Sequence, residues 1–231
     1  MKLAIIPARG GSKRIPRKNI KLFCEKPMIA WSIEAALKSG CFDQVIVSTD
    51  DEEIAEVARL YGATVPFMRP VHLSDDHTGT IPVIQHAIEW VNTQGQSVEQ
   101  ACCLYATAPF VSPEDIRRGL ETLEASGGDY AFSVTSYAFP IQRAIRLNEN
   151  GRVEMFNPEH FNTRSQDLEE AFHDAGQFYW GKADAWLQGR MIFGTGSVPV
   201  ALPRHRVQDI DTPEDWVRAE WLFKAMQAEA Q

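Results

Sequence analysis

Between residues 3 and 136 the chain alternates between two hydrophobic periods, and no other feature limits its architecture as much. Short apolar runs such as "LAII" (residues 3–6), "QVIVSTD" (44–50), "ACCLYAT" (101–107) and "DYAFSVTSY" (129–137) read as strands. Between them lie segments with apolar residues at three- and four-residue spacing. "MIAWSIEAALKSG" places Ile29, Ile33, Ala36 and Leu37 on one face and stops at Gly40, and "DEEIAEVARLYG" stops at Gly62. "TIPVIQHAIEWVNTQG" is a third helix, and in "SPEDIRRGLETLEASG" Ser112 is the expected N-cap with Pro113 at the first helical position. "ATVPF" reads as a weaker strand, limited by Pro66. Strand–helix alternation of this kind calls for an α/β fold with a mostly parallel sheet and helices on both faces.

After residue 137 the rhythm changes. "IQRAIRLNENGRVEMF" alternates around Asn150–Gly151, a hairpin signal, and "NPEHFNTRSQDLEEAFHDAG" is polar and irregular. "QFYWGKADAWLQG" returns to a strand and a short helix, "SVPVALP" and "RVQDID" read as late strands, and Thr212 begins a final helix with Pro213 at its first position. The expected organisation is one domain over 1–231 with an inserted arm at about 137–175. A chain of 231 residues is within reach of one core, and the run Leu3–Ile6 is too short for a signal-peptide core or a membrane span. The four cysteines match no zinc spacing, so reduced thiols and a cytoplasmic location are expected.

Overall charge is −8, from 31 acids and 23 bases, which argues against a general nucleic-acid surface. Yet Arg9, Lys13, Arg14, Arg17, Lys18 and Lys21 crowd one stretch with no acid among them. That stretch follows the first strand, so it leaves a strand's carboxyl end, where open α/β sheets bind ligands. Gly10 and Gly11 can bring backbone N–H groups round an anion, Ser12 adds a hydroxyl, and Arg9, Lys13 and Lys18 add charge, a combination that suits a polyphosphate. The alternative is a solvated basic loop. Neither the P-loop pattern nor the dinucleotide glycine pattern is present.

In "VQDIDTPEDW" Asp209 and Asp211 stand two apart, and on a strand both side chains would share one face. Paired carboxylates of this kind hold Mg²⁺ at phosphoryl-transfer sites, with Mn²⁺ as a substitute. The alternative is that Asp211 only helps to start the last helix.

Taken together, "IPARGGSKRIPRKN", "VSTDDEEIAEVA", "FMRP" and "DIDTPEDW" resemble the cytidylyltransferases that activate nine-carbon sialic-acid-type sugars, over nearly the whole chain. The resemblance implies a Rossmann-like three-layer α/β/α sandwich, a homodimer with an exchanged arm, and a reaction joining CTP to a 2-keto sugar acid with release of pyrophosphate. It assigns the nucleotide to a loop containing Ala8, Arg9, Gly10, Gly11, Ser12, Lys13, Lys18 and Asn19, together with Arg69 and Thr80. Arg9, Lys13, Lys18 and Asp211 would serve catalysis, and Asp209 with Asp211 the metal. Arg164 and Gln166, in the arm, would reach towards the sugar. No nucleic-acid or membrane partner is implied.

The sequence also departs from the sialic-acid pattern. Tyr105 of "LYATAPF" occupies a glutamine position, and "AGQFYWG" replaces "NGAIY", bringing Gln177 and Tyr179. These features resemble the pseudaminic acid branch and place Tyr105, Gln177 and Tyr179 at the sugar. An alternative reading makes Gln177 and Tyr179 packing residues of a strand. Sialic or legionaminic acid is the alternative substrate, and a non-catalytic nucleotide-binding protein is the alternative of another class.

Overall fold

The computed structural model describes residues 1–229. Five parallel strands and one antiparallel strand form a single sheet: β1 (Lys2–Pro7), β4 (Gln44–Ser48), β5 (Gln100–Leu104), β6 (Tyr130–Ser136), β9 (Phe172–Lys182) and β10 (Ser197–Ala201), in the order β10-β6-β9-β5-β1-β4. β9 is the antiparallel member, inserted between β5 and β6. Two hairpins lie outside this sheet, β2 (Leu22–Phe23) with β3 (Lys26–Pro27) and β7 (Ile145–Leu147) with β8 (Val153–Met155).

The strand period sorts side chains between two cores. Ala4 and Ile6 of β1, Leu104 of β5 and Trp180 of β9 face helices α1 (Met28–Ser39), α2 (Glu52–Leu60) and α4 (Pro113–Ser126). Leu3, Ile5, Cys103 and Tyr179 face α3 (Thr80–Thr93) and α5 (Ala183–Leu187). The result is three layers. A third cluster seats α6 (Pro213–Glu229) on Ile15, Phe23 and Phe110 through Trp216 and Phe223. Capping follows the sequence. Asp51 accepts from the Ile54 N–H at 3.1 Å, Ser112 from the Asp115 N–H at 3.1 Å, and Gly40 and Gly127 end their helices with φ of 67° and 66°.

Three expectations need correction. "RVQDID" is not a strand: a 3₁₀ turn at Arg204–Arg206 gives way to a loop that ends at α6. Its alternation reflects single anchors, Ile210 being buried in the third cluster, rather than a pleated ladder. "ATVPF" forms only one isolated bridge, Thr64 with Ile46, and Met68 just after it makes another with Thr49. The arm ends at residue 171 rather than about 175, because Phe172 to Ala175 already belong to β9.

Within the arm, the expected hairpin forms around Gly151, whose φ is 69°. Two 3₁₀ turns, Pro158–His160 and Ser165–Asp167, carry the chain back to the sheet. Phe139, Leu147, Val153 and Phe161 stay in solvent, Phe139 with 82% of its surface exposed.

Candidate active site

A cleft of about 580 Å³ opens at the carboxyl ends of the parallel strands, between the basic loop and the start of α3. It brings together Arg9, Ser12, Lys13, Lys18, Asn19, Arg69, Thr80, Tyr105 and Asp211, all of them expected site residues. Arg14, Asp75 and Asp76 line it as well.

The basic loop is held in shape by the chain around it. Ile15 is buried against α6, Asn19 donates from Nδ2 to the Arg9 carbonyl at 2.9 Å, and the Gly10 N–H donates to Asp50 Oδ1 at 2.9 Å. A Cβ at Gly10 would meet Asp51 Oδ2 at 2.6 Å, so this position needs glycine for close approach. Its N–H is therefore engaged with Asp50 rather than offered to a ligand. Ala8 is buried, with its N–H bonded to the Ser48 carbonyl at 2.9 Å, and Gly11 is open on all sides; none of these three lines the cleft. Arg17 turns away, at φ 56°, to pair with Asp51 and Glu53, which ties the loop to α2.

Lys21 lies over the Trp216 ring, and the other four cations converge on two acids. Arg9 Nη1 lies 2.8 Å from Asp76 Oδ1, and Lys13 pairs with the other oxygen of the same carboxylate. The Lys13 ammonium holds the Asp76 carboxyl below its ordinary range, so a firm anion sits between the two cations. Arg14 and Lys18 reach Asp211 at 2.9 and 3.4 Å. Arg69, only 6% exposed, is fixed by Ser48 and by the Leu73 carbonyl at 3.4 Å; burial pushes its guanidinium down to about 10, where it keeps its charge at neutral pH. Thr80 opens α3, so the positive end of a fourteen-residue helix faces the same space.

Asp209 and Asp211 do not share a strand face, because the segment is a loop. Asp211 lines the cleft, whereas Asp209 is exposed beside it. Desolvation first, and then the charge of Asp211, raise the Asp209 carboxyl above its ordinary range, so the two carboxylates repel each other across the loop. Among the described residues no group of three or more His, Cys, Asp or Glu side chains converges to hold a metal. Two hard carboxylates beside a cluster of cations suited to phosphate fit a cation such as Mg²⁺, which takes few protein ligands and completes its shell with phosphate and water. Asp211 would have to exchange part of its pairing with Arg14 for that role.

On the other wall Tyr105 faces the cleft, its hydroxyl 3.4 Å from Thr80 Oγ1. Tyr179 and Gln177, expected at the sugar, lie behind it at 2% and 3% exposure. Tyr179 donates its hydroxyl to Asp174 and its ring lies 5.2 Å from that of Tyr105. Burial raises the Tyr179 phenol, which keeps its proton. Gln177 donates from Nε2 to the Arg206 carbonyl at 2.6 Å. Both residues therefore shape the wall from behind. Arg164 and Gln166 are out in the arm, where Arg164 pairs with Asp167 at 2.7 Å in solvent; within one chain neither lines the cleft.

Sequence reasoning did not place Asp75 in the site, and reached Asp76 only as a metal ligand to test, with Asp50, should Asp211 prove a helix-start residue. The polar cluster "SDDHTGT" just before α3 was the available signal for both, since that helix start faces the ligand end of the sheet.

Residues 3–192 match the family model described as "Cytidylyltransferase". The chain belongs to the cytidylyltransferase family. Among similar proteins, a pseudaminic acid cytidylyltransferase of Campylobacter jejuni subsp. jejuni serotype O:2 is 50% identical over 222 residues, 96% of each chain. A CMP-N,N'-diacetyllegionaminic acid synthase of Legionella pneumophila is 33% identical over 97% of each. The fold is shared with a solved CMP:2-keto-3-deoxy-manno-octonic acid synthetase complexed with CTP, at TM-score 0.70 and 16% identity, covering 97% of this chain and 99% of that one. As a cytidylyltransferase the chain is a nucleotidyltransferase with the expected Rossmann-like sheet. The family match ends before Asp209 and Asp211, so the loop carrying the carboxylate pair lies outside it. No helix among the described residues is long and apolar enough to cross a membrane.

Proposed function

We propose that this cytidylyltransferase joins CTP to pseudaminic acid, a nine-carbon 2-keto sugar acid, giving the CMP-sugar and pyrophosphate. The observation that carries this reading is the 50% identity to a pseudaminic acid cytidylyltransferase across 96% of both chains. The tyrosine at position 105, on the cleft wall, supports it.

In this reading the sugar's C2 hydroxyl attacks the α-phosphorus of CTP in line with the departing pyrophosphate. Arg9 and Lys13, which already converge on the carboxylate of Asp76, hold the β- and γ-phosphates and stabilise the charge that gathers on pyrophosphate. Binding of the triphosphate displaces Asp76 from between them. Lys18 and Arg69 fix the α-phosphate side, and Asn19 keeps the loop closed through the Arg9 carbonyl. Asp209 and Asp211 would hold Mg²⁺, for which Mn²⁺ can substitute. Such an ion draws charge from the phosphate oxygens and lowers their repulsion of the nucleophile. Tyr105 reads the acceptor sugar directly, with Tyr179 and Gln177 as its support.

The working form is a homodimer. Phe139, Leu147, Val153 and Phe161 give the arm an apolar surface that none of the described residues covers, and a second copy is the natural cover. That arrangement also gives Arg164 and Gln166 a route to the acceptor side of a neighbouring cleft.

The test is pyrophosphate release from CTP with pseudaminic, N-acetylneuraminic and legionaminic acids in turn. The proposal expects a clear preference in kcat/KM for pseudaminic acid. Preference for either other acid would overturn the sugar assignment and leave the cytidylyl transfer in place.

A further inference from the structure

The loop that carries Asp209 and Asp211 starts from an ion pair on a buried carboxylate that none of the proposed roles uses. Arg206 closes the 3₁₀ turn Arg204–Arg206, and its guanidinium pairs with Asp115 of α4, whose side chain is 6% exposed. Asp115 also pairs with Arg118 at 2.9 Å and accepts from Ser112 Oγ at 2.8 Å. The carbonyl of the same Arg206 accepts from Gln177 Nε2 at 2.6 Å. One residue is thus fixed through its side chain to a helix and through its backbone to β9.

Asp209 follows three residues later and Asp211 five. The far end of the loop is held by the buried side chain of Ile210 and by its carbonyl, which accepts from Lys18 Nζ at 2.7 Å. Among the described residues, Gln208 to Asp211 make no backbone–backbone hydrogen bond. Asp211 is also held, by its N–H on Asp215 Oδ2 at 3.2 Å and by Arg14 and Lys18 on its carboxylate, so the Arg206 end is the main anchor of Asp209. Three residues span at most about 10 Å, so a shift at Arg206 passes to Asp209 with little slack.

We propose that Asp115 is a positioning residue for the carboxylate pair. Through Arg206 it sets where the loop leaves the sheet, and so where Asp209 and Asp211 meet a divalent cation carried by the triphosphate. The inference rests on the reading that these two aspartates hold that cation. Removing Asp115 leaves the half-buried Arg206 guanidinium without its carboxylate, and removing Arg206 frees the loop from α4 while Asp115 keeps Arg118, so either change lets the tether move.

The test measures Mn²⁺ binding by the loss of its free electron paramagnetic resonance signal, at fixed CTP and without sugar acid. Asp115→Asn and Arg206→Gln should each weaken Mn²⁺ binding roughly tenfold or more, the usual effect of losing an outer partner of metal ligands. KM for CTP should hold, and Arg206→Lys should recover part of the loss. Leu123→Ala, buried in the same helix, should lower Tm without changing Mn²⁺ binding. If Asp115→Asn fails to fold, the partly exposed Arg206 carries the test. Unchanged Mn²⁺ affinity in Arg206→Gln, with a large loss in Asp209→Asn, would overturn the inference and leave the metal reading standing. No loss in Asp209→Asn would overturn the metal reading, and the inference with it.

Discussion

The basic loop and the arm are both long, polar excursions from the sheet, yet the chain treats them in opposite ways. The loop is closed by its own chain: Ile15 in a core cluster, Asn19 on the Arg9 carbonyl, Gly10 on Asp50, and Arg17 across to Asp51. The arm leaves Phe139 and Phe161 at 82% and 67% exposure, and Arg164 with only a neighbour three residues away. The difference teaches where each half of the reaction gets its precision. In the proposed dimer, triphosphate chemistry draws on preorganised charge that one chain supplies, and the acceptor side borrows from a second.

The sharpest way to break this comparison is at Lys13, on the preorganised side. Lys13→Ala should lose turnover about a hundredfold or more, roughly 3 kcal/mol, with the circular-dichroism spectrum intact. A folded variant of near-normal turnover would make the loop a solvated surface. Next comes Asp211→Asn, which removes one anionic ligand while keeping size. Turnover should fall by about 2 kcal/mol, the loss expected for a charged interaction, with partial recovery at higher Mg²⁺ or Mn²⁺ and a modest change in KM for CTP. If the variant unfolds and a refolded fraction keeps full activity, Asp211 is a helix-start residue.

On the arm side, Arg164→Ala should raise KM for the sugar acid about tenfold, a lost charge-assisted contact, and leave KM for CTP unchanged. Equal effects on both substrates would erase the division between the two regions. The smallest expected effect lies in the loop's tether to α2. Arg17 holds the Asp51 carboxyl below its ordinary 3.8, so the pair's contribution is present above that pH and is lost as pH falls through the folded value. Asp51→Asn keeps the helix cap and should cost under about 1 kcal/mol in urea unfolding at neutral pH. The gap should close below pH 3.8; a gap that persists there would mean that the charge pair is not its source.

Most of the sheet was legible because strand and helix periods are properties of local sequence, and because Asp51, Ser112, Gly40 and Gly127 mark helix ends with their own side chains or backbone freedom. The basic wall of the cleft was legible for a similar reason, since Arg9, Lys13, Arg14 and Lys18 are close together in sequence. What failed depends on partners distant in the chain. "RVQDID" alternates like a strand, but its anchors are Asp115, Gln177 and Lys18, which no local pattern reveals. Nor does local pattern show that Arg206 and Asp174 draw Gln177 and Tyr179 behind the cleft wall. Asp76 meets Arg9 and Lys13 only because α3 begins beside the loop.

The division between the two regions is tested most directly by mixing subunits. Lys13→Ala and Arg164→Ala, each weak alone when the sugar acid is kept well below its KM, would be co-expressed with different tags and the mixed dimer purified and assayed there. If the arm of one chain serves the cleft of the other, one of its two sites has both an intact loop and an intact arm. Half of the wild-type activity per mixed dimer, or about a quarter in an unsorted mixture, is the expected result. Mixed dimers no more active than the better single variant would show that each arm serves its own chain and contradict the account.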